Sequence, residues 1–383
     1  MAKTKLLKVK NIASWTARDI PRDSRVLLRI DANVPMNDGR VSIHGRHRLK
    51  SILPEITRLQ SRGARIVLIA HLGDPKGKLV KSLSLAPVAR ALARAIDHPV
   101  RFIPHAVGDE AARVIDRMAP GSIVMLENLR FDKGEEKNSA DFARRLAALG
   151  DVYVNDAFSV CHRKHASIAA ITSYLPSFAG ELVVREVRAL SMTPKHPFVL
   201  ILGGAKIATK IPLMKHLGSH ADAMLIGGAT ALTMLKADVG SLPVDVPEFT
   251  SAKDVASAKA IAKKFGKKIH LPCDLVVTKN LVPDVGPSTV EAFCAAIAKA
   301  KHIVWNGPMG IPKREDGFVG TLAIAKAIAR NTKATSVVGG GETVECLEEF
   351  DLTDSFTHVS TGGGAMLAFL GGEAMPGLEV LAK

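Results

Sequence analysis

Aromatic residues are scarce, at 4% of 383 positions, with two Trp and two Tyr. No basic run is interleaved with rings on which bases could stack, so the pattern argues against a nucleic-acid platform. The four cysteines, Cys161, Cys273, Cys294 and Cys346, are far apart and form no CxxC pair. That spacing argues against a disulfide frame and a cysteine zinc site, and predicts free thiols in a reducing cytoplasm. Apolar runs reach strand length only, so no membrane span is expected. The opening MAKTKLLKVK is basic but lacks the apolar core and small-residue cleavage site of an export signal. There is no solenoid period and no low-complexity tract. No GxGxxG follows the first strand of either half, which argues against a dinucleotide-dependent oxidoreductase. The stretch Gly73 to Leu79 has a P-loop flavour, but its spacing is wrong and no Ser or Thr follows the lysine. No Ser-His-Asp or Cys-His nucleophile is evident.

What is present is ordinary in bulk and unusual in charge. Hydrophobic content of 47% with 23% charged residues is that of a globular protein, and the length predicts about two domains. The net charge is +15. Twelve Lys/Arg against four Asp/Glu in the first fifty residues give 12 − 4 = +8 of that surplus. A small polyanionic substrate on a generally basic chain explains this more simply than nucleic acid does.

The chain is organised around Phe198 to Lys210, FVLILGGAKIATK. Five apolar residues predict a strand buried on both faces. Gly203 and Gly204 then allow a sharp turn, and a helical start is expected to put Lys206 and Lys210 on one face. Free amide groups, a helix dipole and two cations together would make an anion site. The arrangement recurs: Gly227–Gly228, Gly339–Gly340–Gly341 and Gly362–Gly363–Gly364 each follow an apolar stretch, and WNGPMG breaks a strand at Asn306. In a parallel sheet these turns share the carboxyl edge, where open α/β folds bind ligands.

The first half alternates strands (Arg25–Asp31, Arg65–Ala70, Ser122–Glu127, Asp151–Asn155) with helical stretches, predicting another helix-wrapped parallel sheet. Its strand ends carry Asp31 and Asn33, His71, Arg130, and Asn155–Asp156 with His162–Arg163; Arg48 stands at the start of the first helix. Guanidinium groups at one edge suit an acceptor bearing carboxylate and phosphate. A helical connector from Gly180 to Pro197 places a boundary between the halves.

These residues resemble the phosphoglycerate kinase family along nearly the whole chain. The likeness rests on RIDANVP (29–35), AHLGDPKG (70–77), LENLRFDKGEEKN (126–138) and GDVYVNDAFSVCHRKHAS (150–167). It continues through FVLILGGAKIATK, WNGPMG (305–310), VVGGGETVE (337–345) and HVSTGGGAMLAFL (358–370). The resemblance implies two Rossmann-like three-layer α/β/α domains with parallel sheets joined by a hinge helix. Residues 1–180 would form the acceptor domain with 368–383 returning to it, 181–197 the hinge, and 198–367 the nucleotide domain. It implies reversible phosphoryl transfer between 1,3-bisphosphoglycerate and ADP, giving 3-phosphoglycerate and ATP, by a cytoplasmic monomer without nucleic-acid or membrane partners. Asp31, Asn33, Arg48, His71, Arg130 and Arg163 would contact the phosphoglycerate. Lys206, Lys210, Gly286, Gly340, Gly341, Glu342 and Thr343 would contact the nucleotide, with Glu342 facing Mg²⁺ carried by ATP or ADP. Arg48, Lys206, Gly341 and Gly364 would be catalytic; Arg46 is the alternative to Arg48. Hinge closure around Gly180–Pro197 would bring donor and acceptor together.

The chemistry agrees. A carboxylate with a pKa of about 4 is already ionised at neutral pH and needs no general base. Positioning and charge neutralisation remain to be supplied. The sequence departs from the family at Asp74, where an arginine is usual, at Lys313 in place of a glutamate, and at Glu342 in place of an aspartate. The segment Asp274–Gly286 is also shorter than usual. These departures keep open two alternatives: the same scaffold acting on another carboxylate, and a weakly active or non-catalytic relative.

Overall fold

A computed structural model describes residues 12, 14–42, 45–244 and 250–382; the basic opening segment lies outside the described residues, as does the side chain of Arg46. The chain forms two compact units, one running to Arg188 and resuming at Ala374, the other Ala189–Glu373.

The first unit holds β1 (Arg25–Ile30), β2 (Met36–Asn37), β3 (Arg40–Val41), β4 (Arg65–Ile69), β5 (Val100–Ile103), β6 (Ile123–Leu126), β7 (Val152–Asp156) and β8 (Ser177–Ala179). Six of these make one sheet in the order β5-β6-β4-β1-β7-β8, with every pair parallel. Its helices are α1 (Arg46–Ser61), α2 (Ala86–Ile96), α3 (Asp109–Asp116), α4 (Lys133–Glu136), α5 (Ala140–Ala147) and α6 (Glu181–Leu190). Strand side chains alternate between faces, and here both faces are apolar. Val26, Leu28 and Ile30 join Ile66 and Leu68 in one core, which Leu49, Ile52, Ile56 and Leu59 of α1 complete at helical spacing. Leu27, Val67, Ile69 and Tyr153 point the other way, into a core with Phe142, Ala143 and Leu146 of α5. Each fully buried Leu or Ile contributes about 1.5–3 kcal/mol. The stack therefore fixes the strands in register and leaves their carboxyl ends along one edge.

The second unit repeats the plan. It contains β9 (Phe198–Leu202), β10 (Ala223–Ile226), β11 (Ile269–His270), β12 (Leu275–Thr278), β13 (Leu281–Val285), β14 (His302–Asn306), β15 (Thr335–Gly339) and β16 (His358–Val359). Its parallel sheet runs β11-β10-β9-β14-β15-β16. The helices are α7 (Ile211–Leu217), α8 (Gly228–Val239), α9 (Ala252–Phe265), α10 (Pro287–Lys299), α11 (Val319–Arg330), α12 (Gly341–Glu349) and α13 (Gly364–Leu370). A last short helix, α14 (Pro376–Glu379), belongs to the first unit. The segment read as shortened is a separate antiparallel hairpin, β12–β13. Lys279 and Asn280 close it, both with positive φ (49° and 66°), as a two-residue hairpin turn requires.

One local expectation needs correction. Lys206 and Lys210 do not share a face of a regular α-helix. A 3₁₀ turn, Ile207–Thr209, separates them, and α7 begins only at Ile211.

Candidate active site

In the second unit the glycine turns after β9, β14, β15 and β16 meet at one cavity of about 400 Å³. The turns are stitched backbone to backbone: Gly203 N donates to the Asn306 carbonyl at 3.0 Å and Gly204 N to the Pro308 carbonyl at 2.8 Å. A side chain at Gly203 would overlap that Pro308 carbonyl, so only glycine permits the approach. Lys206, Lys210, Gly340, Gly341, Glu342 and Thr343 all line the cavity, as does Gly364. α12 and α13 begin at Gly341 and Gly364, so their amino ends border the same space and add positive dipole ends to it.

The two lysines differ. Lys206 is exposed. Lys210 is buried and donates its ammonium to Asn306 Oδ1. Burial lowers its pKa to about 8, with Glu342 opposing the fall. Asn306 is held in turn by its own Nδ2, which donates to the Gly339 carbonyl at 2.9 Å. The Thr343 hydroxyl accepts from Gly307 N at 3.1 Å and so braces the β14 turn.

Glu342 presents an exposed carboxylate in the first turn of α12. Its hard oxygens suit Mg²⁺, but no group of three or more His, Cys, Asp or Glu that could hold a metal exists among the described residues. A cation here would need most of its ligands from a bound phosphate chain and water, which is how Mg²⁺ commonly binds.

Gly286 is not among the cavity's walls. It caps α10, and a Cβ on it would overlap the carboxylate of Asp274. Its glycine answers to that close contact. Lys313 is exposed and likewise does not line the cavity. Asn306, Gly307, Pro308 and Gly363 line it without having been assigned beforehand, although all lie in the quoted glycine motifs.

In the first unit the expected edge is built as a layered basic site. Arg29 is fully buried, and its Nη2 lies 3.0 Å from His71 Nδ1. A guanidinium can only donate, so Nδ1 accepts and the neutral ring carries its proton on Nε2. Burial, then Arg29 and Arg130, push the His71 pKa well below the usual imidazole range. Arg29 Nε also donates to Ser167 Oγ at 3.1 Å. The Ser167 hydroxyl and amide both donate to the buried carboxylate of Glu135, at 2.6 and 2.9 Å.

Arg130 is a second buried cation. Nη1 donates to the Gly73 carbonyl at 2.7 Å, Nε lies 3.3 Å from Glu136, and Nη2 has no hydrogen-bond partner. Burial and the nearby Arg163 lower its pKa. Arg163 is exposed, with Nε 3.3 Å from His162 Nε2. His165 is held down to about 3 by burial and by Arg130, Arg29 and Arg163. Arg48 Nη1 donates to the Asn33 carbonyl at 2.7 Å and lies 3.4 Å from the buried Asp31 carboxylate. Asn33 Oδ1 accepts from Gly73 N at 2.9 Å. Asp31 and Asn33 therefore orient Arg48 and the loop carrying Arg130's partner. Asp74 is exposed, and its charge, like that of Glu136, opposes the lowering of the Arg130 pKa.

Sequence reasoning passed over Arg29 because it sits inside an apolar strand, and over Glu135 because it lies in a run of charges. The one available signal was the arginine itself, which is costly to bury without a purpose.

The model for "Phosphoglycerate kinase" matches residues 18–373. The chain belongs to the phosphoglycerate kinase family. The phosphoglycerate kinase of Thermomicrobium roseum is 43% identical over 395 aligned positions, covering 96% of this chain and 98% of its own. That of Moorella thermoacetica is 40% identical, covering 97% and 100%. The solved phosphoglycerate kinase from Pyrococcus horikoshii superposes with a TM-score of 0.86 at 31% identity, covering 94% of this chain and 96% of its own. The Coxiella burnetii phosphoglycerate kinase structure gives 0.79 at 36%, covering 94% and 97%. As a family member the chain is a phosphotransferase with a carboxyl group as acceptor, and its two six-stranded parallel sheets are those of the phosphoglycerate kinase fold. No helix among the described residues is long and apolar enough to cross a membrane.

Proposed function

We propose that the first unit binds 3-phosphoglycerate and the second binds Mg-ATP or Mg-ADP, with reversible transfer of the γ-phosphoryl group onto the carboxylate. The observation that carries this reading is Arg130 Nη2, a buried guanidinium nitrogen with no partner at the carboxyl edge of the sheet. An unsatisfied buried donor costs about 1–3 kcal/mol, more when charged, and a bound carboxylate or phosphate would remove that cost. Arg130, Arg163 and Arg48 hold and orient the acceptor, and neutral His71 donates from Nε2. Asp31 and Asn33 set the angle of Arg48.

The acceptor carboxylate is the nucleophile and is already ionised, so none of these groups needs to remove a proton. Lys206, Lys210 and the amino ends of α12 and α13 hold the nucleotide phosphates and neutralise charge on the transferred group. Mg²⁺ bound to those phosphates would supply further neutralisation, with Glu342 the residue that would face it. Because the ligands belong to different units, turnover requires hinge motion about residues 180–197.

A coupled assay with 3-phosphoglycerate, ATP and Mg²⁺ tests the reading. Turnover is expected in the wild type and is lost in Arg48→Ala and in Lys206→Ala. Nucleotide binding without turnover on 3-phosphoglycerate would overturn the assigned acceptor.

A further inference from the structure

A second basic cavity lies in the first unit, lined by none of the strand-end residues described above. It has a volume of about 670 Å³ and is formed between the β2–β3 hairpin and α2. Arg40 reaches it from β3, and Arg90 and Arg94 from α2. None of these three residues has a hydrogen-bonded or ion-paired side chain among the described residues. All three are exposed; some other arginines of the same unit have carboxylate partners, among them Arg25 with Asp151 at 2.7 Å, Arg65 with Asp23, and Arg145 with Asp132 at 3.2 Å.

Arg90 and Arg94 stand four residues apart on one helix face, where like charges repel and destabilise the helix. Arg40 adds a third charge from a different element. One carboxylate, Asp38 in the hairpin turn, faces them, leaving the lining at 3 − 1 = +2. Its apolar surface comes from Val41 and Pro87, and no aromatic ring lines it.

We propose that this cavity is a second anion site, taking a compact ligand with two or more phosphate groups and no base. Three guanidinium groups from two elements suit phosphate oxygens, which they can hold in bidentate fashion. The absence of a stacking ring disfavours a nucleotide or a nucleic-acid strand. The site is built from residues outside the acceptor and nucleotide machinery, so it stands independently of that assignment. It also gives part of the basic surplus of this half a specific use.

The test is calorimetric titration of the full chain with tripolyphosphate in about 0.15 M salt, where weak surface attraction is screened. It is carried out in a Lys206→Ala/Arg130→Ala background, so that neither substrate site competes. One molar equivalent is expected to bind. Adding Arg90→Gln/Arg94→Gln should weaken it about tenfold or more, and Arg90→Lys/Arg94→Lys should retain most of the affinity. In an otherwise wild-type chain, Arg90→Gln/Arg94→Gln should leave kcat and KM unchanged. A parallel titration with inositol hexakisphosphate separates an inorganic chain from a phosphorylated polyol by which binds more tightly. No binding in the background, binding indifferent to the glutamine pair, or tighter binding of an oligothymidylate would each overturn the proposal.

Discussion

Arg29 and His71 form a buried donor–acceptor pair, Nη2 to Nδ1 at 3.0 Å, 42 residues apart in sequence and adjacent through the β1–β4 pairing. The pair holds a cation and an imidazole at the base of the proposed acceptor site with the imidazole uncharged. The charge presented to a ligand therefore belongs to the arginines above it.

Replacing Arg130 by Ala should raise KM for 3-phosphoglycerate and cut kcat/KM by about 10- to 150-fold, the worth of one or two charge-assisted hydrogen bonds of about 1.5–3 kcal/mol in total. The Kd for Mg-ATP should not move, because Arg130 lies in the other unit from the glycine-lined cavity proposed for the nucleotide. Steady-state kinetics with a separate nucleotide titration check both halves. An unchanged KM would remove Arg130 from the acceptor site.

Lys210 should make nucleotide affinity fall with pH. Its pKa is lowered to about 8, so the free protein loses a cation from the cavity as pH rises through that value. Bound phosphate raises the pKa, and the two curves converge below pH about 7. Titrating Mg-ATP between pH 7 and 9 should show weakening that Lys210→Met abolishes. A persistent pH dependence in Lys210→Met would point to another group.

Asp74→Arg should strengthen acceptor binding. Reversing an exposed charge near Arg130 is worth on the order of 1 kcal/mol, equivalent to about fivefold in KM, and more at low salt. If KM for 3-phosphoglycerate rises instead, Asp74 is serving a different acceptor or holding the arginines in place.

Stability should fall with acid more steeply than carboxylates alone would make it. His165 is neutral in the fold, with its pKa lowered to about 3 from the 6.5 of an exposed imidazole. Above 6.5 neither folded nor unfolded chain protonates it. As pH falls from 6.5 toward 3 the unfolded chain gains the proton first, and stability drops by up to about 1.4 kcal/mol per pH unit. His71, also lowered, acts in the same direction. Urea midpoints between pH 6.5 and 5 should decline less in His165→Gln than in the wild type. Parallel declines would show that the burial of His165 is without consequence for folding.

Much of the molecule was legible in its residues because the relevant signals are short-range. Short, near-continuous apolar runs marked FVLIL and RVLLRI as buried strands, and the glycine pair behind FVLIL marked a turn at the sheet edge. Lys206 and Glu342 could be proposed as site residues because each lies in a stretch that resembles the family's motifs, and Arg48 because it stands at the start of the first helix. What tertiary structure decided was which polar groups are buried, paired or left open. Arg29 meets Ser167 across 138 residues, and Gly286 packs on Asp274 and is not among the walls of the glycine-lined cavity. Likewise, Lys206 and Lys210 converge through a 3₁₀ turn rather than along one helix face. Desolvation and ion pairing depend on everything packed around a group, and that environment is assembled from chain segments with no local relation to one another. Apolar runs and the residues that end them determined where the sheet edges lie; only the folded contacts determined that Arg130 keeps an unpaired nitrogen there.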